Sequence, residues 1–146
     1  MNRRQFLLAT AATTFPGTLP GALAVLAGDA PLRIRDLYNK DLSFSPYATA
    51  HQDKEVFVRG YMAPPLKAQS KFFVLTSRPM AVCPFCESEA DWPDDIIVIY
   101  TDEIIDAVAF NVPIEVRGTL ELGTYKDEEI GFVSRVRVTS ASFERM

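Results

Sequence analysis

From Ile114 the chain reads Ile-Glu-Val-Arg-Gly-Thr-Leu-Glu, with apolar or small residues at every second position and polar ones between. A period of two sends alternate side chains to opposite faces of an extended chain, so this stretch predicts a half-buried strand. The same alternation recurs near the C-terminus, where Phe132, Val136 and Val138 fall on one face and Arg135, Arg137 and Thr139 on the other. The polar run Gly123 to Gly131 between them predicts a hairpin loop. Val56 to Tyr61 is a third strand, ended by Met62-Ala-Pro-Pro65, and Phe72 to Thr76 a fourth. Ile96 to Tyr100 is apolar on both faces, which predicts a central strand covered on each side. Helix signals are few: Asp102 to Phe110 suits one short turn, and Pro31 to Asn39 a short strand or helix. Short strands joined by turns predict an all-β domain, a small antiparallel five- to six-stranded OB-like barrel with at most one or two short helices.

The N-terminus changes where that domain is expected to begin. Met1 to Ala24 carries Arg3-Arg4, then an apolar and small-residue stretch, a Pro16-Gly17 break and Ala22-Leu23-Ala24, a small-x-small cleavage site. That order reads as a cleavable bacterial export signal, residues 1–24, to be left out of the fold. Asn-Arg-Arg-Gln-Phe-Leu-Leu resembles the twin-arginine signal, in which two arginines precede x-Phe-Leu. Breaks at Pro16, Gly17, Pro20 and Gly21 interrupt the roughly 20 apolar residues a membrane span needs. No cysteine near the cleavage site offers a lipid attachment point. The expected product is a soluble periplasmic protein, residues 25–146, with Ala27 as the alternative cleavage position.

Charge then narrows the partners. The leader takes two of the fifteen cationic residues and none of the nineteen acids, so the formal charge moves from −4 to −6. Nucleic acid and anionic membrane surface both call for a basic footprint, and neither is expected as a partner. The remaining 122 residues suffice for one core.

The order of several short elements resembles a known family. Gly60-Tyr-Met-Ala-Pro64, Phe72-Phe-Val-Leu75, a cysteine-bearing loop leading into Pro93 and the strand Ile96 to Tyr100, and Ile114-Glu-Val-Arg-Gly-Thr-Leu120 form that series. It is similar to a family of small exported bacterial proteins of unknown function, several of them lipoproteins, with an OB-like barrel. The resemblance covers about residues 34 to 141. It implies metal or cofactor traffic rather than catalysis, because such proteins are often encoded beside suspected metal transporters. This chain departs from the lipoprotein members in lacking a lipidated cysteine, and the family's loop is too variable to carry a ligand set over.

The candidate chemistry lies in Ala81-Val-Cys-Pro-Phe-Cys-Glu-Ser-Glu-Ala-Asp-Trp92, which holds both cysteines of the chain, Cys83 and Cys86, and its one tryptophan. Three readings apply. Cys-Pro-Phe-Cys is a variant of the glutaredoxin-like redox motif, whose thiolate depends on a helix N-terminus. Here Pro93 ends any helix within two turns, and the neighbouring acids oppose a thiolate. Redox cycling of the pair is then expected only on a barrel loop. Alternatively, Cys-x-x-Cys presents two thiolates from one knuckle, half of a tetrahedral zinc site. His51, the one histidine, with Glu87, Glu89 or Asp91, can supply further donors, and Met62 or Met80 a third sulfur for copper(I). The plainer reading of His51 is a solvent-facing loop residue. In the third reading the cysteines stiffen a turn, and Trp92 covers the open end of the barrel, where ligands of such folds bind.

The adjacent acidic pairs Asp94-Asp95 and Asp102-Glu103 sit at turns or strand edges, a poor arrangement for acid/base catalysis. No phosphate-binding or dinucleotide fingerprint occurs. The expectation is therefore a non-enzymatic periplasmic binding or accessory protein, handling zinc or copper beside an envelope transporter through Cys83, Cys86 and His51. The competing readings are an envelope thiol–disulfide protein and an interaction module without ligand chemistry.

Overall fold

The fold is given by a computed structural model that describes residues 30–65, 67–81 and 92–146. A 3₁₀ turn, Ile34–Leu37, and a short helix α1, Pro46–His51, precede five strands: β1 Glu55–Met62, β2 Phe72–Thr76, β3 Ile96–Thr101, β4 Pro113–Lys126 and β5 Val133–Arg145. The strands close into a barrel in the order β1-β2-β3-β5-β4, the small all-β fold expected. Successive strands reverse direction, and a ring of five alternating strands must contain one like-directed neighbour pair. That pair is β3 with β5, parallel at Val98↔Arg137 and Ile99↔Val138. Every other neighbouring pair is antiparallel.

The alternation also fixes which connections share a barrel end. The N-terminal segment, the β2–β3 connection and the β4–β5 hairpin lie at one end. The β1–β2 and β3–β4 connections and the C-terminus lie at the other.

Inward residues follow the period of two. Val56 and Val58 of β1, Phe73 and Leu75 of β2, Ile97 and Ile99 of β3, Ile114, Val116 and Leu120 of β4, and Val136 and Val138 of β5 form the interior core. Phe73 meets Phe143 edge-on, with centroids 5.2 Å apart. A second, smaller cluster lies outside the barrel, where Val74 of β2 and Ile96 of β3 pack with Ala63, Trp92 and Phe132; Phe132 precedes β5 and does not share the inward face of Val136 and Val138 as its spacing predicts. This outer layer explains why β2 and β3 are apolar on both faces: each is covered from within and from without.

Two glycines permit the closure. A Cβ on Gly60 would stand 2.5 Å from the Thr76 carbonyl oxygen, where β1 crosses β2. One on Gly118 would stand 2.6 Å from Val138 Cγ1 and 2.7 Å from the Thr139 carbonyl oxygen. Gly118 sits at a register shift between β4 and β5, the local bend that a small barrel needs at its corners.

The irregular segments differ from expectation. Residues 102–110 contain no helix, because their backbone is tied to the end of β1 and to the β1–β2 connection. The Ile105 N–H donates to the Ser70 carbonyl and the Val108 N–H to Met62 Sδ, at 3.0 and 3.3 Å. The hairpin loop starts later than expected, since β4 continues through Lys126. Helix α1 forms where Ser45 caps it: Ser45 Oγ accepts from Ala48 N at 3.1 Å and donates to the Asp36 carbonyl at 2.6 Å, with Pro46 at the first helical position. No helix among the described residues is long and apolar enough to cross a membrane.

Candidate functional site

The Cys83–Cys86 pair, with Glu87, Glu89 and Asp91, lies outside the described residues. What the structure defines is the stem that carries them, the two ends of the β2–β3 connection. The last pair of the hairpin, Thr76↔Ile96, is extended by Ser77 N donating to the Asp95 carbonyl at 3.0 Å. The side chains of Arg78 and Asp95 bridge at 3.1 Å just beyond. Thr76 Oγ1 is fully buried and donates to the Arg78 carbonyl at 2.6 Å, holding the outgoing strand in its turn. The Arg78 side chain is 73% exposed, so its bridge adds orientation more than stability.

Trp92 anchors the returning end. It packs against the interior core and against the outer cluster. Its ring lies 6.5 Å from that of Phe132, edge-on. The indole Nε1–H donates to Tyr38 Oη at 2.6 Å. Trp92 is thus neither a free platform nor a plug down the barrel axis. It seals the edge of the outer β2–β3 face against the N-terminal segment. Burial pushes the Tyr38 pKa from 10.0 up to about 12, partly offset by the Trp92 bond.

His51 ends α1 rather than lying in a loop. It is half-buried, its Nδ1 is 2.8 Å from the Tyr47 carbonyl and its ring 4.3 Å from that of Tyr47. If Nδ1 carries the proton for that bond, Nε2 keeps a lone pair for a ligand. The α1 helix and the β2–β3 stem belong to the same barrel end. Met62 is fully buried and its sulfur accepts a backbone N–H inside the core, so it is not available as a soft ligand. Met80 is half-exposed on the outgoing stem. Among the described residues, no three His, Cys, Asp or Glu side chains come together in a metal-binding group.

A groove of about 630 Å³ lies on the outer barrel, where the β1–β2 connection and the start of β2 meet the end of β3 and the β4–β5 hairpin. Phe72, Tyr100 and Tyr125 make its floor, with Lys67 and Lys71 on one side and Asp127, Glu128 and Glu129 on the other. Tyr100 packs 6.0 Å from Phe72 and edge-on to Tyr125 at 6.2 Å. Burial, together with the nearby Asp127 carboxylate, drives the pKa of its hydroxyl upward. Sequence reasoning did not find this groove. The aromatic ends of β2, β3 and β4 are far apart in the chain, and only the register brings them together.

No protein-family model and no curated protein sequence matches the chain. Among solved structures, it is similar to a DUF3299 family protein from Pseudomonas aeruginosa PAO1, at 17% sequence identity and a TM-score of 0.48. The alignment covers 66% of this chain and 64% of that one, so the chain spans just under two thirds of that protein's length.

Proposed function

We propose that this protein is an exported, periplasmic binding or accessory protein that handles zinc or copper beside an envelope transporter, with Cys83 and Cys86 as its thiolate ligands. The observation that supports this reading is the stem of the β2–β3 connection. Its outgoing side is closed by Ser77, Arg78 and Asp95, and its returning side by Trp92 on Tyr38. A binding pair needs to be held by rigid elements to be useful, and closed barrel strands supply that. Two thiolates three residues apart fill two positions of a tetrahedral site, leaving two for a side chain such as His51, water or a partner. A site left half open in this way suits transfer to a partner better than permanent storage.

The test is metal content. The mature protein, purified under reducing conditions and loaded with zinc or copper(I), should bind one equivalent by elemental analysis, and Cys83→Ser should lose it. Absence of stoichiometric metal under every loading condition overturns the reading. If the pair instead cycles as a disulfide between roughly −120 and −230 mV, the thiol–disulfide alternative takes its place. Replacement of Arg3 and Arg4 by lysine should block export, since the twin-arginine route depends on that pair.

A further inference from the structure

The seam between β1 and the N-terminal segment holds a second feature, remote in kind from the cysteine chemistry. Leu32 forms a parallel bridge with Val58, and its N–H donates to the Phe57 carbonyl at 2.8 Å. Leu32, Ile34 and Val58 are buried, which turns the alternate residues outward. One step along the bridge, Arg33 and Arg59 therefore stand at opposed positions on the outer side, and Arg35 lies in the 3₁₀ turn that follows. Like charges directly opposite one another across a strand pair are destabilising unless a counter-charge sits between them.

The protein's own counter-charge is small. Glu115 accepts from Arg59 at 3.3 Å, but it is shared with Arg117, bonded at 2.9 Å. Both guanidiniums also lie over the Phe57 ring, at 5.2 and 4.9 Å, which holds Arg59 in place. The Arg33 and Arg35 side chains make no hydrogen bond or ion pair among the described residues; their backbone carbonyls accept from Asp36 N and Tyr38 N within the 3₁₀ turn. A cavity of about 200 Å³ opens between these groups, lined by Arg33, Arg35, Arg59 and Ser77 over a base of Leu32 and Ile34, with no carboxylate in its lining. Ser77 lines this cavity, and its Oγ is closed off from solvent with no hydrogen-bond partner among the described residues. A buried hydroxyl without a partner costs free energy that a ligand oxygen recovers.

We propose that this notch is an anion site that takes a phosphate group, borne by a small phosphomonoester or by a lipid headgroup. The guanidinium forks of Arg33 and Arg35 match two phosphate oxygens each. Arg59 completes the charge, and the Ser77 hydroxyl, turned from its buried position toward the cavity, donates to an inward oxygen. The site is local: the whole chain carries a formal charge of −4, so general attraction does not bring anions here.

The experiment titrates the purified full-length protein at low salt with inorganic phosphate, with glycerol phosphate, and with phosphatidylglycerol or phosphatidylcholine vesicles. Saturable binding of the free phosphates, weakened about tenfold or more in Arg33→Gln/Arg35→Gln at unchanged melting temperature, is the expected result. Binding confined to phosphatidylglycerol vesicles, lost in the same variant, supports the site and assigns the headgroup as its source. No saturable binding to any of these probes overturns the proposal, as does binding that the double variant leaves unchanged. Ser77→Ala should weaken binding severalfold. An unaltered affinity there puts the anion outside this cavity and overturns the proposal as well. Should the double variant not fold, the serine variant carries the test alone.

Discussion

Trp92 Nε1–H donates to the Tyr38 hydroxyl at 2.6 Å, joining residues 54 apart in the chain at the foot of the cysteine-bearing connection. Tyr38 is 8% exposed and Trp92 half-buried, so the bond is partly shielded from water. Trp92→Phe keeps a ring against Phe132 but leaves the Tyr38 hydroxyl buried without this donor. The expected cost is about 1–3 kcal/mol, read from the urea midpoint at constant m-value. A midpoint within error of the parent would mean that packing alone holds the stem.

The same tyrosine sets a pH dependence. Unfolded, it loses its proton near pH 10.0; folded, burial raises that to about 12. The folded state therefore holds a proton that the unfolded state releases. The associated stability is fully present below pH 10 and is lost as pH rises through about 12. Denaturation at stepped pH should show the decline in that window, and Tyr38→Phe should reduce it. Tyr100, also raised, titrates in the same direction, so some decline should persist in the variant.

Ser45 has two tasks, capping α1 and bonding the Asp36 carbonyl. Ser45→Ala removes both from a residue that is 7% exposed. Stability should fall by about 1–2 kcal/mol. Because α1 is short and ends at His51, the same change should loosen the histidine. A zinc affinity insensitive to Ser45→Ala would remove His51 from the ligand set.

The barrel corners give the sharpest steric prediction. At Gly60 the obstructing atom is a backbone carbonyl oxygen, which cannot swing aside as a side chain can. Gly60→Ala should cost about 2–3 kcal/mol, and Gly118→Ala a similar amount. Thermal melts monitored by near-ultraviolet circular dichroism separate loss of stability from loss of the closed barrel. A melting point unchanged in either variant would contradict the tight strand crossing.

Much of this architecture was legible before the strands were placed. Phe72–Thr76 was bounded to the residue, and β1 and β3 to within one, because a period of two or a doubly apolar run is local information. Gly123 misled the reading of the hairpin. It looks like turn chemistry, yet Tyr125↔Ser134 and Lys126↔Val133 continue the ladder beyond it, past a register shift. Its φ of +107° belongs to a bulge inside the strand. Helix α1 carried a signal in Ser45-Pro46, a cap followed by proline at the first helical position. Six residues are too few for a periodicity to confirm it. For residues 102–110 the opposite held: local composition allowed a helical turn, and hydrogen bonds to Ser70 and Met62 took the backbone elsewhere.

By itself, then, the sequence determined the all-β class, the strand cores and the position of the two cysteines on the connection between β2 and β3. These depend on alternation and turn residues within a few positions of one another. Only the tertiary structure decided the parallel β3–β5 seam, the docking of Trp92 on Tyr38, the aromatic groove and the facing of Arg33 with Arg59. Each of these joins residues distant in the chain through strand register. A shift of one residue would reverse every side chain to the other face, and no local pattern records that choice.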